Sequence, residues 1–199
     1  MSLKIQVYSD YVCPFCYLAE FPLRAAIRGR DVEVEWMPFE LRPEPSPTLR
    51  PEGEYLQQTW ARSVYPMAER MGVPIVLPDA SPQPHTHLAF EGDQFAKGRD
   101  LGPAYNERVL DAFFREGRDI GDVAVLSELA GEVGLDRVEF DAALRLRDDR
   151  EAHRSALRHA SDEAKITGVP AFVIGGRVLA GVQDEATLDA AITDALNRP

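Results

Sequence analysis

The chain has 199 residues, a net charge of -11, and 45% apolar against 28% charged residues. That balance is globular and excludes a disordered chain, and no run reaches the roughly 18 to 20 apolar residues of a membrane span, which excludes a membrane protein. The acidic balance opposes binding to a phosphate backbone and excludes nucleic acid as a partner.

From the amino end, Leu3 to Tyr8 alternates apolar and polar residues and predicts a first strand, with Ser9 to Val12 as its loop. The opening segment MSLKIQVYSD lacks the basic and then apolar stretches of a secretory signal, which points to the cytoplasm. From Pro14 the spacing predicts a helix with Leu18, Phe21, Ala25 and Ile27 buried and Glu20, Arg24 and Arg28 facing solvent. Pro14 suits the first helical turn, where its missing N–H costs nothing, whereas Pro22 predicts a kink. After Gly29 to Asp31, Val32 to Phe39 returns to period two and completes a βαβ unit.

A Pro-rich stretch, Arg42 to Pro51, marks a boundary. From Gly53 to about Thr167 the helical period dominates and predicts five or six helices. Within it Trp60, Tyr65, Met67 and Met71 follow helical spacing and could line an apolar substrate groove, with a core stripe the favoured reading, and His153 and His159 fall on a charged helix as solvated face. Strand character resumes at Ala171 to Ile174, turns at Gly175-Gly176 and returns through Arg177 to Ala180, a hairpin signal. Asp184 to Leu196 closes the chain as a helix with Leu188, Ala191, Ile192 and Ala195 buried and Asp184 as its N-cap. The fold class is α/β with a large all-helical insertion: residues 1–50 and 167–199 form one split domain and 51–166 the insert.

The chain holds two cysteines, Cys13 and Cys16. A structural disulfide framework needs more of them at longer separations, whereas an isolated C-x-x-C beside a βα unit points to redox chemistry. A thiol reacts as its thiolate, and a cysteine at a helix start meets unpaired N–H groups and the positive end of the helix dipole. Cys13 is therefore the predicted attacking sulfur and Cys16, one turn on, the resolving one. The intervening Pro14 and Phe15 bring no charge and are read as contact residues for substrate. Two other readings stand beside this: inert core cysteines, and half a zinc site that His85 and His87 would complete if the insert folded back. The favoured reading takes no metal and no cofactor.

Ser9-Asp10-Tyr11-Val12-Cys13-Pro14-Phe15-Cys16-Tyr17 resembles the active-site segment of the DsbA-like branch of the thioredoxin superfamily, especially its FrnE-like subgroup. Gly168-Val169-Pro170-Ala171-Phe172 resembles the second hallmark of that thioredoxin-like fold. The resemblance implies that Pro170 is cis and opposes the cysteines, and that the backbone of Val169 pairs with an extended substrate. It also implies that His87, at the start of an insert helix, faces the active site, where it could stabilise the Cys13 thiolate or contact a substrate, although a satisfied surface or cap histidine is the commoner use. The chain is also similar to glutathione-dependent hydroxychromene-carboxylate isomerases and kappa-class glutathione transferases, but those carry serine where this chain has Cys13.

The leading expectation is thus a disulfide oxidoreductase or isomerase whose partners are protein or small-molecule thiols and disulfides, glutathione among them. A glutathione-dependent isomerase or transferase acting on a small aromatic or polyketide-like compound is the alternative, and a chaperone-like binding protein a third. Gly181 to Asp184 could offer free N–H groups to a carboxylate, although capping by Asp184 is the commoner use of such a residue. The oligomeric state stays open between monomer and homodimer.

Overall fold

The computed structural model describes residues 2–198. Strand β1 (Leu3–Ser9) lies inside a four-stranded sheet of order β2-β1-β3-β4. Strand β2 (Val32–Pro38) runs parallel to it, and such a pair needs a crossover, which helix α1 (Pro14–Ile27) supplies. On the other side β3 (Ala171–Ile174) pairs antiparallel with β1, Val7 opposite Phe172, and β4 (Arg177–Ala180) closes a hairpin on β3. Gly175 and Gly176 take φ of 54° and 78°, the left-handed pair that a two-residue hairpin turn requires. Strands from the two ends of the chain therefore share one sheet.

Alternation decides what each face buries. Ile5, Val7, Phe172 and Ile174 pack on one face beneath Ala19, Leu23 and Ala26 of α1 and Leu188, Ala191 and Ile192 of the last helix, α9 (Glu185–Leu196). Tyr8, Met37 and Ala171 face the other way, onto Ala160 and Ile166.

The helices between β2 and β3 build a second core, to which all but the last of them give buried apolar residues. Helix α2 (Glu54–Thr59) passes through a π-helical turn, Trp60–Val64, into α3 (Tyr65–Met71). Then come α4 (His87–Lys97), α5 (Gly102–Phe114), α6 (Val123–Glu132) and α7 (Arg137–Leu146), and finally α8 (Arg150–Arg158), which ends in a second π-helical turn, His159–Glu163. Asp122 and Asp136 cap α6 and α7 by accepting from Ala124 N–H and from Val138 and Glu139 N–H at 2.8 to 2.9 Å. Trp60, Tyr105, Phe113, Phe114 and Phe140 dominate this core, and Tyr11, Tyr17 and Leu18 reach into it from the amino-terminal segment. Among the described residues no helix is long and apolar enough to cross a membrane.

Three expectations are corrected. Glu20 is not solvated: α1 has packing partners on both sides, so its carboxylate is buried, accepting from Asn106 Nδ2 at 2.9 Å and Arg24 Nη2 at 2.6 Å. His153 is not on a solvated face either, because α8 lies against β2 and α4. Its ring stacks on Phe90 and its Nε2 lies 2.6 Å from Glu40 Oε1. The Trp60 stripe divides, since Trp60 is buried while Tyr65 is 43% exposed. Pro22 lies inside α1, which continues to Ile27.

Candidate active site

Strand β1 ends at Ser9, and a turn closed by Cys13 N–H donating to the Asp10 carbonyl at 3.0 Å delivers Cys13 to the mouth of α1. Cys13 is the N-cap residue, with extended φ and ψ of -91° and 108°, and Pro14 takes the first helical position. The Cys13 carbonyl accepts from Cys16 N–H at 3.0 Å and Tyr17 N–H at 3.3 Å, so both cysteines are fixed by the first helical turn. Both are free thiols, 4% and 1% exposed.

The last third of the chain supplies the facing wall. Val169-Pro170 is a cis peptide, and the Cys13 thiol donates to the Val169 carbonyl with a sulfur–oxygen distance of 3.9 Å. Pro170 in turn is tied to the end of β4, its carbonyl accepting from Gly181 N–H at 2.8 Å. A sulfur at a helix start thus stands against a carbonyl 156 residues away in sequence.

The two sulfurs sit in different surroundings. Burial pushes the Cys16 thiol well up, and the hydrogen bond and charge of the adjacent Cys13 add to the rise. The Asp10 backbone N–H and the Ser9 hydroxyl pull it part of the way back. Asp10 is itself buried, and burial raises its carboxyl to about 7 against the Leu41 N–H, Thr86 hydroxyl and Val12 N–H that favour its charged form. Its Oδ2 accepts from Leu41 N–H at 2.7 Å, while among the described residues its Oδ1 makes no hydrogen bond.

A cavity of about 120 Å³ opens beside Cys13, Pro14 and Phe15. Its walls are mostly apolar, from Leu41, Leu49, Leu56 and Trp60, with Asp10 and Thr86 among the polar residues that line it. The structure therefore brings Cys13, Cys16, Val169 and Pro170 together and places Pro14 and Phe15 in the cavity wall. It does not place His87 there. Thr86 lines this cavity, whereas His87 lines a separate one beyond the Glu40–Glu44 segment, and burial lowers the pKa of its ring. Asp184 accepts from Thr187 N–H at 2.8 Å, which is the capping role. Sequence reasoning passed over Asp10 and the cavity wall from Leu41 to Leu56. An ionisable residue at a strand end, three positions before Cys13, was the available signal for the first; the second depends on tertiary folding.

Comparison with known proteins places the chain. The model of the DSBA-like thioredoxin domain matches residues 4–193. The uncharacterized protein YwbO of Bacillus subtilis (strain 168) is 51% identical over 195 residues, covering 98% of each chain. A probable DsbA oxidoreductase from Streptomyces coelicolor superposes with a TM-score of 0.82 at 24% identity, over 99% of this chain and 92% of that one. The cytosolic disulfide reductase DsbM from Pseudomonas aeruginosa superposes with a TM-score of 0.73 at 22% identity over 98% of both. With a match that runs from β1 into α9 and takes in both the cysteine turn and the proline loop, the chain belongs to the DSBA-like thioredoxin domain family, whose members include thiol-disulfide oxidoreductases.

Proposed function

We propose that the chain exchanges disulfides through Cys13 and Cys16. The Cys13 thiolate attacks one sulfur of a substrate disulfide, forming a mixed disulfide and releasing the first substrate thiolate, which takes up a proton. Cys16 then loses its proton and attacks the Cys13 sulfur, releasing the second substrate thiolate and leaving a Cys13–Cys16 disulfide. Two electrons pass to the substrate, and the reverse sequence oxidises a dithiol. The observation that carries this reading is the seat of the Cys13 sulfur, at a helix mouth, with Cys16 one turn behind it and the Val169 carbonyl 3.9 Å in front.

The order of the two steps follows from the burial of each thiol. Cys16 is the deeper sulfur, and its raised pKa keeps it protonated until Cys13 has been capped by substrate. Val169 offers its backbone to an extended substrate, and Pro14 and Phe15 line a cavity suited to an apolar group beside the substrate sulfur. Protein and small-molecule thiols and disulfides, glutathione included, are the proposed partners. The division of the chain into 1–50, 51–166 and 167–199 belongs to the same proposal, with 1–50 bearing both sulfurs and part of the cavity wall, 51–166 the rest of that wall and 167–199 the Val169-Pro170 loop.

The test compares Cys13→Ser, Cys16→Ser and the double variant in insulin reduction and in refolding of a scrambled disulfide protein. Both single variants should lose the reductase activity, and Cys16→Ser should accumulate a mixed disulfide on Cys13 visible by mass spectrometry. Full activity in Cys13→Ser would end the proposal. Activity lost only in Cys13→Ser and kept in Cys16→Ser would instead favour a single-thiol reaction of the isomerase or transferase type.

A further inference from the structure

Beyond the Glu40–Glu44 segment from the Cys13 cavity lies a second cavity, of about 160 Å³, with no part in the sulfur chemistry. The segment is a partition: Leu41 and Arg42 face the first cavity, and Glu40, Pro43 and Glu44 face the second.

The second cavity is a built site. Arg147, in left-handed backbone at φ 59°, grips both oxygens of the buried Glu91 at 2.6 and 2.7 Å. Beside this pair His153, 2% exposed, holds Glu40 through Nε2, while its Nδ1 is buried without a partner. Arg147 and Glu91 neutralise each other, and Glu40 spends a carboxylate oxygen on His153. Three further charged groups line the cavity without so close a partner. Among the described residues Arg150 and Glu44 make no side-chain ion pair or hydrogen bond, and Arg154 has only Glu151 at 4.0 Å. The two guanidinium groups come from α8 and the carboxylate from the Glu40–Glu44 segment.

Two cations and one anion without a close ion-pair partner on one cavity suit a ligand of the opposite pattern, with two carboxylates and one ammonium. Guanidinium forks match carboxylates bidentately, which fits the two arginines to the anionic ends. The concentration of three arginines on one cavity also runs against the chain's overall charge of -11. We propose that this cavity binds the zwitterion of an acidic amino acid, with Arg150 and Arg154 on its carboxylates and Glu44 on its ammonium. The site is independent of the disulfide chemistry and is judged by binding alone.

Titration calorimetry of the full chain with L-glutamate, glutarate and L-lysine tests it. L-glutamate should bind one to one, glutarate at least about tenfold more weakly for want of the ammonium, and L-lysine not detectably. The double variant R150Q/R154Q should weaken L-glutamate by about tenfold or more. E44Q should weaken L-glutamate by about fivefold or more and leave glutarate unchanged. All three side chains are exposed, so the variants should fold, and an unchanged urea midpoint verifies it. A second readout is the His153 ring resonance, which should shift on adding L-glutamate. The proposal is overturned by no binding of L-glutamate at about 10 mM, by glutarate binding equally well, or by R150Q/R154Q binding as the parent does. The Cys13→Ser/Cys16→Ser variant should bind L-glutamate like the parent, so failure here and failure of the disulfide reading are separate results.

Discussion

Glu20 and Asp10 are carboxyl groups that burial raises to about 7, well above where an unfolded chain would ionise them. Between about pH 4 and 7 the unfolded state therefore sheds these protons first, and stability falls as pH rises through that window. Each group removes up to about 3 kcal/mol by the top of it. Glu20→Gln keeps the Asn106 contact and cannot ionise, so its unfolding midpoint should depend less on pH than the parent's. The variant should gain on the parent most at pH 8 and least at pH 5, and Asp10→Asn should flatten the profile further. Urea unfolding across that range measures both, and an unaltered slope would refute the assignment. Gly92 is decided by contact instead. A Cβ there would meet the Tyr105 hydroxyl and come within 2.6 Å of Phe140 Cζ, so Gly92→Ala should cost about 1–3 kcal/mol in urea unfolding. At this scale the cysteine pair and its neighbours Pro14 and Phe15 were legible because their relation is local. The burial of Glu20 and His153 was not, because partners 86 and 113 residues away create it.

The elements divide in the same way. Period two marked β1, β2 and the hairpin, and the spacing of Leu188, Ala191 and Ile192 marked α9, since each pattern is written within a few residues. The two π-helical turns left no such trace, and the part of the cavity wall at Arg42, Thr48 and Leu49 lies in a Pro-rich stretch without periodicity. The hairpin offers a sharp comparison between neighbours. Gly175→Ala meets left-handed strain and also the Ala195 side chain at 2.7 Å, whereas Gly176→Ala meets the strain alone. Gly176→Ala should lower stability by about 1 kcal/mol and Gly175→Ala by clearly more. Equal urea midpoints for the two would show that α9 yields to the added methyl.

Across the whole molecule, α1 is common property of two cores, giving Ala19, Leu23 and Ala26 to the sheet and Tyr17 and Leu18 to the helices. A helix shared in this way should make the two cores melt as one. The tryptophans report on them separately, Trp36 packing against the sheet core and Trp60 within the helical one. Fluorescence of Trp36→Phe and of Trp60→Phe should each follow the far-ultraviolet dichroism of the same variant, with coincident midpoints. A fluorescence transition displaced from the dichroism in either variant would show that the cores open independently.

The meeting of Cys13 with Val169 has a consequence for a chain still being made. A ribosome that has translated the cysteines, both strands of the βαβ unit and every helix up to His159 has yet to deliver the carbonyl against which the first sulfur rests. Until β3 slots in beside β1, the nascent polypeptide carries two thiols without their finished seat, open to whatever oxidant it meets. The seat of the first sulfur is completed late in synthesis, once the carboxyl end has folded back to the beginning.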